Sequence, residues 1–213
     1  MSLWRRRVAP CPARDKLRAW LAAGATKPMT LTPKDFAGRD FSLTALLFSG
    51  PLPERLRQVR RSFCVWVGSL SPFSGWRVFW YRRAGANIGK NAFISPDVVL
   101  DLLLPQLITI EEEAVLGLGA IVVAHVYTPD RIIVGRSHVG RRALVGGRGI
   151  LAVSQIGEEG VLGSNSWPIE PIPAGYVALG VPASMHRRKS TRGDDSRTED
   201  LNIRPEVQQN PET

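Results

Sequence analysis

Histidine is the residue of this chain best suited to moving a proton near neutral pH, and the chain contains three of them. His125 follows a regular run of spaced aliphatic residues, and the next clear position of that spacing is Val134. Residues 126–133 are therefore expected to leave the regular structure as a loop beside His125. A neutral imidazole in such a place can take a proton from a hydroxyl group. We interpret His138 as a surface residue and His186 as incidental.

The other residues that could do chemistry give weaker patterns. Cys11 and Cys64 are the only cysteines, which is too few for a disulfide framework and indicates a reducing compartment. Zinc sites use clusters of cysteine and histidine that this sequence lacks, so no metal is expected. No serine or cysteine triad for covalent catalysis is evident.

The elements that must position His125 come from a short repeat between residues 88 and 162. An aliphatic residue recurs there every five or six residues, which is neither the helical period nor simple strand alternation. The positions followed by glycine are Ile88, Leu116, Val134, Val139, Val145, Ile156 and Leu162, and those without it are Ile94, Leu100, Ile110, Val122 and Leu151. Such a unit buries its apolar residue by stacking on copies of itself, three hexads to a coil. We predict a mainly β fold, a left-handed parallel β-helix of hexapeptide repeats with an N-terminal helical segment.

The charge distribution divides the chain further. Residues 1–84 carry 16 Lys and Arg against 4 Asp and Glu, whereas residues 85–186 carry 6 against 9. We predict a basic N-terminal arm at 1–35, a helical basic and aromatic cap at 36–84, the β-helix at 85–186 and a disordered tail at 187–213. The tail is assigned as disordered because it has mixed charge and few large apolar residues.

Helix signals occur at three places before the repeat. We predict a short helix at 13–23, a longer one from 53 to about 67, and a third at 74–84. Residues 27–34 contain two prolines and are predicted to form a loop. The arm is expected to be poorly ordered unless it docks on the rest of the protein.

The cap at 36–84 interleaves arginine with tryptophan, phenylalanine and leucine, and two interpretations remain open. The helices could cover the open end of the repeat. They could also touch an anionic membrane surface. Nucleic acid is not expected, because no recognised motif accompanies the charge. Without a secretory signal or an apolar run long enough to span a bilayer, we expect a cytoplasmic protein, with peripheral membrane contact as the alternative.

Four pieces of the repeat occur in a telling order: DLLLPQLITIEEEAVLG at 101–117, Ala124-His125 before TPDR at 128–131, VGGR at 145–148, and GVPA at 180–183. Together they resemble the hexapeptide-repeat acyltransferases, especially the branch with maltose and galactoside O-acetyltransferases and colanic-acid-type sugar acetyltransferases. The resemblance covers roughly residues 76–187 and implies that 85–186 is an acyltransferase domain.

The resemblance implies an acetyl-CoA-dependent O-acetyltransferase that acts, as a homotrimer, on a sugar or polysaccharide-precursor hydroxyl. His125 would be the general base, and backbone N–H groups would stabilise the oxyanion formed at the thioester carbonyl. Coenzyme A would lie between adjacent subunits. The residues implied to bind it are Gly146, Gly147, Gly163 and Ser164 along the pantetheine arm, with Arg148 and Arg187 at the phosphates.

The chain departs from the family pattern in its last coils. A Thr-Lys pair that usually helps to hold CoA is replaced by Ile169-Glu170, and the coil from Leu151 to Ile156 is one residue short. A non-catalytic scaffold therefore stays as an alternative. An N-acyltransferase on an amino sugar also stays open, because acceptor contacts come from variable loops. The γ-class carbonic anhydrases share the fold, but their three zinc-binding histidines do not match the spacing between His125 and His138.

Overall fold

A computed structural model describes residues 11–38 and 40–187. The first ten residues of the predicted arm, and all of the predicted disordered tail except Arg187, lie outside the described residues. The described helices are α1 (Pro12–Ala22), α2 (Leu43–Phe48), α3 (Leu52–Leu70) and α4 (Ser74–Ala84), with 3-10 turns at Pro33–Phe36 and Pro105–Leu107.

The strands are short, and most of them follow α4. They are β1 (Met29–Leu31), β2 (Asn87–Ile88), β3 (Phe93–Ile94), β4 (Val99–Leu100), β5 (Ile108–Ile110), β6 (Val115–Leu116), β7 (Ile121–Val123), β8 (His125–Tyr127), β9 (Ile132–Val134), β10 (Ser137–Val139), β11 (Leu144–Val145), β12 (Ile150–Ala152), β13 (Gln155–Ile156), β14 (Val161–Leu162), β15 (Tyr176–Gly180) and β16 (Ala183–Arg187).

Three parallel sheets form the walls of a β-helix, because successive strands go to successive walls. The first wall runs β2-β5-β10-β13, the second β3-β6-β11-β14-β15, and the third β4-β7-β12. The antiparallel strand β16 pairs with β15 at the end of the second wall. The fold is therefore mainly β, with parallel strands and an N-terminal helical segment, as the sequence predicts.

The predicted inward residues form three buried ladders. The first wall aligns Ile88, Ile110, Val139 and Ile156; the second aligns Ile94, Leu116, Val145 and Leu162; the third aligns Leu100, Val122 and Leu151. All are at most 6% exposed, so each coil buries its aliphatic residues against the coils on either side. The five-residue step from Leu151 to Ile156 is present too, with Val153 turning the corner at a φ of 50°.

The assignment of Val134 to the repeat is wrong. Val134 is buried, but it lies on β9, which pairs antiparallel with β8 in a hairpin outside the three walls. The next ladder residue after Val122 is Val139. A buried Val before a glycine looks the same in the sequence whether it faces the β-helix core or the inside of a hairpin.

The predicted helices are found at the predicted places. The segment predicted at 13–23 is α1, that at 53–67 is α3, which begins one residue earlier and ends three later, and that at 74–84 is α4. The last of these lies over the first coil: Tyr81 donates its hydroxyl to the carbonyl of Val98 (3.2 Å), and Arg77 Nε donates to the carbonyl of Ile94 (2.9 Å). No helix among the described residues is long and apolar enough to cross a membrane.

The loop predicted at 27–34 is wrong. Residues Met29–Leu31 form β1, which pairs antiparallel with β9, and the Pro33–Phe36 turn follows. Leu31 is fully buried and Met29 nearly so, because the strand covers the free edge of the hairpin. Prolines at 28 and 33 flank this strand, so they bound it without removing one of its donors. The described part of the arm is therefore docked.

Candidate active site

His125 lies at the corner where the chain leaves the third wall. It is the first residue of β8, and the β8–β9 hairpin projects beyond the wall before β10 resumes the first wall. The preceding coil leaves the third wall at the same corner, over residues 101–107. The backbone N–H of Asp101 donates to the carbonyl of Val122 (3.1 Å), so the two departures stack directly on one another.

Asp101 is the partner of His125. Its Oδ2 lies 2.6 Å from His125 Nδ1, and the carboxylate is buried. Three backbone N–H groups also donate to it: Leu103 (2.8 Å) and Leu104 (2.9 Å) to Oδ1, and Ala124 (2.8 Å) to Oδ2. A buried carboxylate with four donors is satisfied as an anion, which is the condition under which proteins tolerate such a group.

The ionisation of Asp101 fixes the proton on the imidazole. Burial pushes the pKa of Asp101 upward, but the hydrogen bonds from His125 and from the Leu104 and Ala124 backbone outweigh it and hold that pKa below its ordinary value. An ionised carboxylate only accepts hydrogen bonds, so Nδ1 of His125 carries a hydrogen, and in the neutral imidazole Nε2 then keeps its lone pair. The side chain of His125 is 17% exposed, which leaves the site open to a substrate.

Tyr127 holds the other side of the imidazole. The two rings meet edge to face with centroids 5.4 Å apart, and the Tyr127 hydroxyl accepts a hydrogen bond from the Leu43 backbone N–H (2.9 Å). Through this contact α2 anchors the hairpin that carries His125. The ring orientation therefore depends on a helix far from it in the sequence.

Asp101, Tyr127 and α2 were not identified from the sequence as parts of the site. Asp101 and His125 are 24 residues apart. The sequence does contain a signal for Asp101. It is the first polar residue after an inward-facing aliphatic residue, and it lies one coil before His125 at the same corner. Because both segments leave the β-helix at this corner in successive coils, they must lie on top of each other.

The residues predicted to bind CoA lie at a different corner. Gly146, Gly147 and Arg148 connect the second wall to the third, and Gly163 and Ser164 follow β14 at the same corner one coil later. His125 lies at the far edge of the third wall, so the two corners are separated by a three-residue strand, about 10 Å. One chain therefore does not bring His125 together with these residues, and Arg187 lies exposed on β16.

Two of those glycines face the next coil. A Cβ at Gly146 would lie 2.5 Å from the backbone nitrogen of Ser164, and one at Gly163 would lie 2.3 Å from Leu179 Cδ2. Gly146 needs glycine because the backbone of the next coil lies against it, whereas a Cβ at Gly163 would first meet the movable end of the exposed Leu179 side chain. Gly147 has more room, and Arg148 and Ser164 are exposed, so these three could meet the pantetheine arm and phosphates of a CoA molecule. Ile169-Glu170 is also exposed, which leaves its acidic side chain at the surface.

The other histidines lie away from this corner. His138 is on the outer side of the first wall, 3.2 Å from Glu111, and His186 is on the last described strand. Within residues 11–38 and 40–187, no group of three or more His, Cys, Asp or Glu side chains could hold a metal ion.

The chain has the fold of the hexapeptide-repeat acetyltransferases. The acetyltransferase VCA0836 of Vibrio cholerae, a hexapeptide-repeat protein, superposes with a TM-score of 0.54 at 17% identity, over 62% of this chain and 90% of its own. A maltose O-acetyltransferase from Clostridium difficile 630 superposes with a TM-score of 0.50 at 17% identity, over 64% and 89%. The resemblance predicted from the sequence is confirmed at this level.

Sequence comparison points the same way. The protein named "Putative acetyltransferase YvoF" of Bacillus subtilis (strain 168) is 22% identical over 129 residues, 60% of this chain and 75% of its own length. No family model matches the chain. VCA0836 has also been crystallised with acetyl coenzyme A, and that structure superposes with a TM-score of 0.46 at 15% identity, over 70% of this chain and 98% of its own.

Proposed function

We propose that this chain is a left-handed β-helix enzyme that transfers an acetyl group from acetyl-CoA to a hydroxyl of a sugar or polysaccharide precursor. The observation that carries the proposal is the 2.6 Å contact between His125 Nδ1 and the buried Asp101 carboxylate, at a corner open to solvent. Acetyltransferases are also the named activity of its relatives.

The proposed reaction needs one base and no covalent enzyme intermediate. His125 Nε2 takes the acceptor's hydroxyl proton as the oxygen attacks the thioester carbonyl. The new carbon–oxygen bond forms, the carbon–sulfur bond breaks, and the imidazolium returns its proton to the departing sulfur, giving the ester and free CoA. Asp101 stabilises the imidazolium during this step, as a buried carboxylate does in other base-assisted acyl transfers. Backbone N–H groups are the proposed donors to the oxyanion.

We propose that the active enzyme is a homotrimer with its sites between copies. Within one chain His125 and the predicted CoA-binding residues lie at opposite edges of the third wall. A neighbouring β-helix could place its Arg148 and Ser164 against the His125 corner. Gly146 and Gly163 belong to the coil backbone of that groove, Gly147 lines the pantetheine arm, and Arg187 is a second partner for the phosphates.

Two alternatives are separated by the same experiment. The exposed Glu170 favours a non-catalytic scaffold, because an acidic side chain would repel the phosphates of CoA. An N-acyltransferase would use the same base, His125, on an amine. We would measure acetyl-CoA binding by calorimetry and then CoA thiol release across sugar and amino-sugar acceptors. Thiol release with a hydroxyl acceptor, abolished by His125→Ala with the oligomer intact, supports the proposal. Absence of acetyl-CoA binding at millimolar concentration would overturn it.

A further inference from the structure

An apolar stripe runs along the outer side of α3. Its members recur every three or four residues and are 52–65% exposed: Leu52, Leu56, Val59, Phe63, Trp66 and Leu70. The helix is 19 residues long, so the stripe extends for about 27 Å at 1.5 Å per residue. Single exposed apolar residues are ordinary on protein surfaces, whereas a continuous stripe of this length marks an interaction site.

The stripe lies opposite the side by which α3 packs on the protein. The buried residues of α3 include Gln58, Val65 and Gly68. At about 100° per residue, the stripe occupies a sector of about 80° centred on the far side of the helix from them. Arg55 and Arg60 flank it at about 60° and 80° from its centre on either side. The outer side of α3 is therefore apolar along its middle and basic along both edges.

The adjacent helix α4 widens this surface. Phe73, Trp76 and Phe79 are each more than half exposed, and Arg83 lies on the same side of α4. The two helices are held together tightly, since a Cβ at Gly68 would lie 2.5 Å from Tyr81 Cε1. We call the outer side of α3 and α4 the α3–α4 face.

We propose that the α3–α4 face docks on an anionic lipid bilayer, with both helices lying in the plane of the interface. An amphipathic helix of this kind buries its apolar side at the boundary between headgroups and acyl chains, while flanking arginines meet lipid phosphates. Tryptophan suits that boundary because its ring is apolar and its N–H is polar. Within the described residues, the exposed Arg55, Arg60 and Arg83 form no salt bridge with an acidic side chain, so their charges are available.

Charge favours a bilayer over the other occupants. A second copy docked face to face would set arginines against arginines, because Glu54 is the only acidic residue of the two helices and it is paired with Arg18. The segment 1–10 carries three arginines and no acid, and 188–213 has mixed charge and few large apolar residues. Neither segment complements a surface that is apolar in its middle and basic at its edges.

The inner side of α3 contacts the loop that follows the Asp101 carboxylate. Gln58 Nε2 donates to the carbonyl of Leu103 (2.8 Å), and Ser62 Oγ donates to that of Leu102 (2.9 Å). The backbone N–H of the same Leu103 donates to Asp101. The docked face would thus hold the site near the bilayer and suit a lipid-linked acceptor. That last consequence rests on the proposed acetyltransferase function, whereas the docking does not.

Vesicle flotation of the full chain tests the docking. We expect the protein to float with vesicles of phosphatidylcholine and phosphatidylglycerol in equal parts, and much less with phosphatidylcholine alone. The double variant Phe63→Ser, Trp76→Ser should lower the partition coefficient at least about tenfold, because it removes two aromatic anchors. The double variant Arg55→Glu, Arg60→Glu should abolish the preference for anionic vesicles.

A matched control removes two equally exposed apolar residues from the β-helix, as Phe93→Ser, Leu118→Ser, and should float like the unmodified chain. Circular dichroism establishes that each variant is folded. Failure of the folded chain to float would overturn the proposal, as would flotation that the α3–α4 variants leave unchanged. A smaller oligomer for the Phe63→Ser, Trp76→Ser variant in lipid-free solution would also overturn it and identify the face as a contact between copies. CoA thiol release with a soluble acceptor, measured alongside, reports on the acetyltransferase proposal separately.

Discussion

Asp101 gives His125 a defined tautomer, which a histidine on an open loop would lack. The carboxylate is held by three backbone N–H groups before it meets the ring, so it cannot rotate away. Its charge keeps the hydrogen on Nδ1 and stabilises the imidazolium formed when Nε2 takes a proton. We therefore describe Asp101 as a positioning residue, because it acts on the acceptor only through His125.

Asp101→Asn tests this role with little change of shape. The amide can donate to Nδ1 and so favour the tautomer with hydrogen on Nε2, which cannot accept a proton. We expect kcat for CoA release to fall by about 100-fold to 10,000-fold, with KM for acetyl-CoA nearly unchanged. Asp130→Asn, at the exposed tip of the hairpin, is the control and should retain activity. An Asp101→Asn enzyme with normal kcat and an unchanged pH profile would contradict the assignment.

The lowered pKa of Asp101 also predicts how stability depends on pH. In the unfolded chain the carboxyl titrates near its ordinary pKa of about 4, above its pKa in the folded protein. Between these two values the unfolded state binds more protons, so the free energy of unfolding falls as the pH falls through this window. The contribution of Asp101 to the free energy of unfolding is fully present above about pH 4 and is lost as the pH falls below it. Urea unfolding at a series of acidic pH values should show a shallower pH dependence for Asp101→Asn than for the unmodified chain, and parallel curves would contradict this.

At the scale of elements, close contact between backbones decides where glycine is needed. The α3–α4 pair approaches closely at Gly68, whose neighbour Tyr81 is fully buried. The coils approach as closely at Gly146, where the obstacle is the backbone itself. At both positions packing between elements is enough to require a glycine.

Gly68→Ala should destabilise the cap. Alanine favours a helix over glycine by about 1 kcal/mol, but its Cβ would collide with the buried Tyr81 ring. We expect a net loss of about 1–3 kcal/mol in the free energy of unfolding, measured by urea denaturation. Gly75→Ala is the matched control, since Gly75 is in α4 with nothing within 4 Å of its added Cβ, and it should be neutral or stabilising. Equal stability of the two variants would show that α3 and α4 do not pack as described.

Gly146→Ala and Gly147→Ala should separate coil packing from donor binding. At Gly146 the added methyl meets a backbone nitrogen that cannot move aside, so we expect a loss of about 1–3 kcal/mol of stability. At Gly147 the nearest atom is 3.3 Å away, so the loss should be smaller. If Gly147 lines the pantetheine arm, its variant should instead raise KM for acetyl-CoA. Thermal unfolding measures the loss of stability, and steady-state kinetics measures KM for acetyl-CoA. A raised KM for Gly146→Ala and a larger loss of stability for Gly147→Ala would exchange the two roles.

For the whole molecule, the separation of the two corners makes the proposed active site a property of an assembly. His125 lies at one edge of the third wall and Arg148 at the other. In a cyclic trimer, each site would join the His125 corner of one copy to the Arg148 corner of the next. The homotrimer and the CoA-binding residues are therefore linked hypotheses that one experiment can address.

Mixing two inactive variants should restore activity if the sites lie between copies. His125→Ala lacks the base and Arg148→Ala weakens donor binding, so each homotrimer should be impaired. Random reassembly of equal amounts should give about a quarter of sites with both native residues, and a matching share of the normal rate of CoA release. Arg136→Ala, whose side chain bonds to the carbonyl of Gly24, replaces Arg148→Ala in the control mixture. No recovery after verified subunit exchange would place the complete site within one chain.

The sequence by itself determined the periodic part of this protein. The spacing of Ile88, Ile94 and Leu100 and of the aliphatic residues after them sets the three ladders, because each residue that faces the core follows the last at a nearly constant interval. Helix signals near residues 53 and 74 located α3 and α4, and the break after His125 located the hairpin. All of these are local patterns within a few residues.

Only the tertiary structure decided what the non-periodic segments meet. The two departures from the β-helix differ in length, so spacing could not show that Asp101 reaches His125, or that Val134 lies outside the ladders. Met29–Leu31 becomes a strand because β9 offers it a free edge. Composition could not show which side of α3 faces outward, since that depends on α4 and the 101–107 loop packing against the other side. Periodic burial is a property of neighbours in sequence, whereas these contacts depend on which coils and edges are stacked in space.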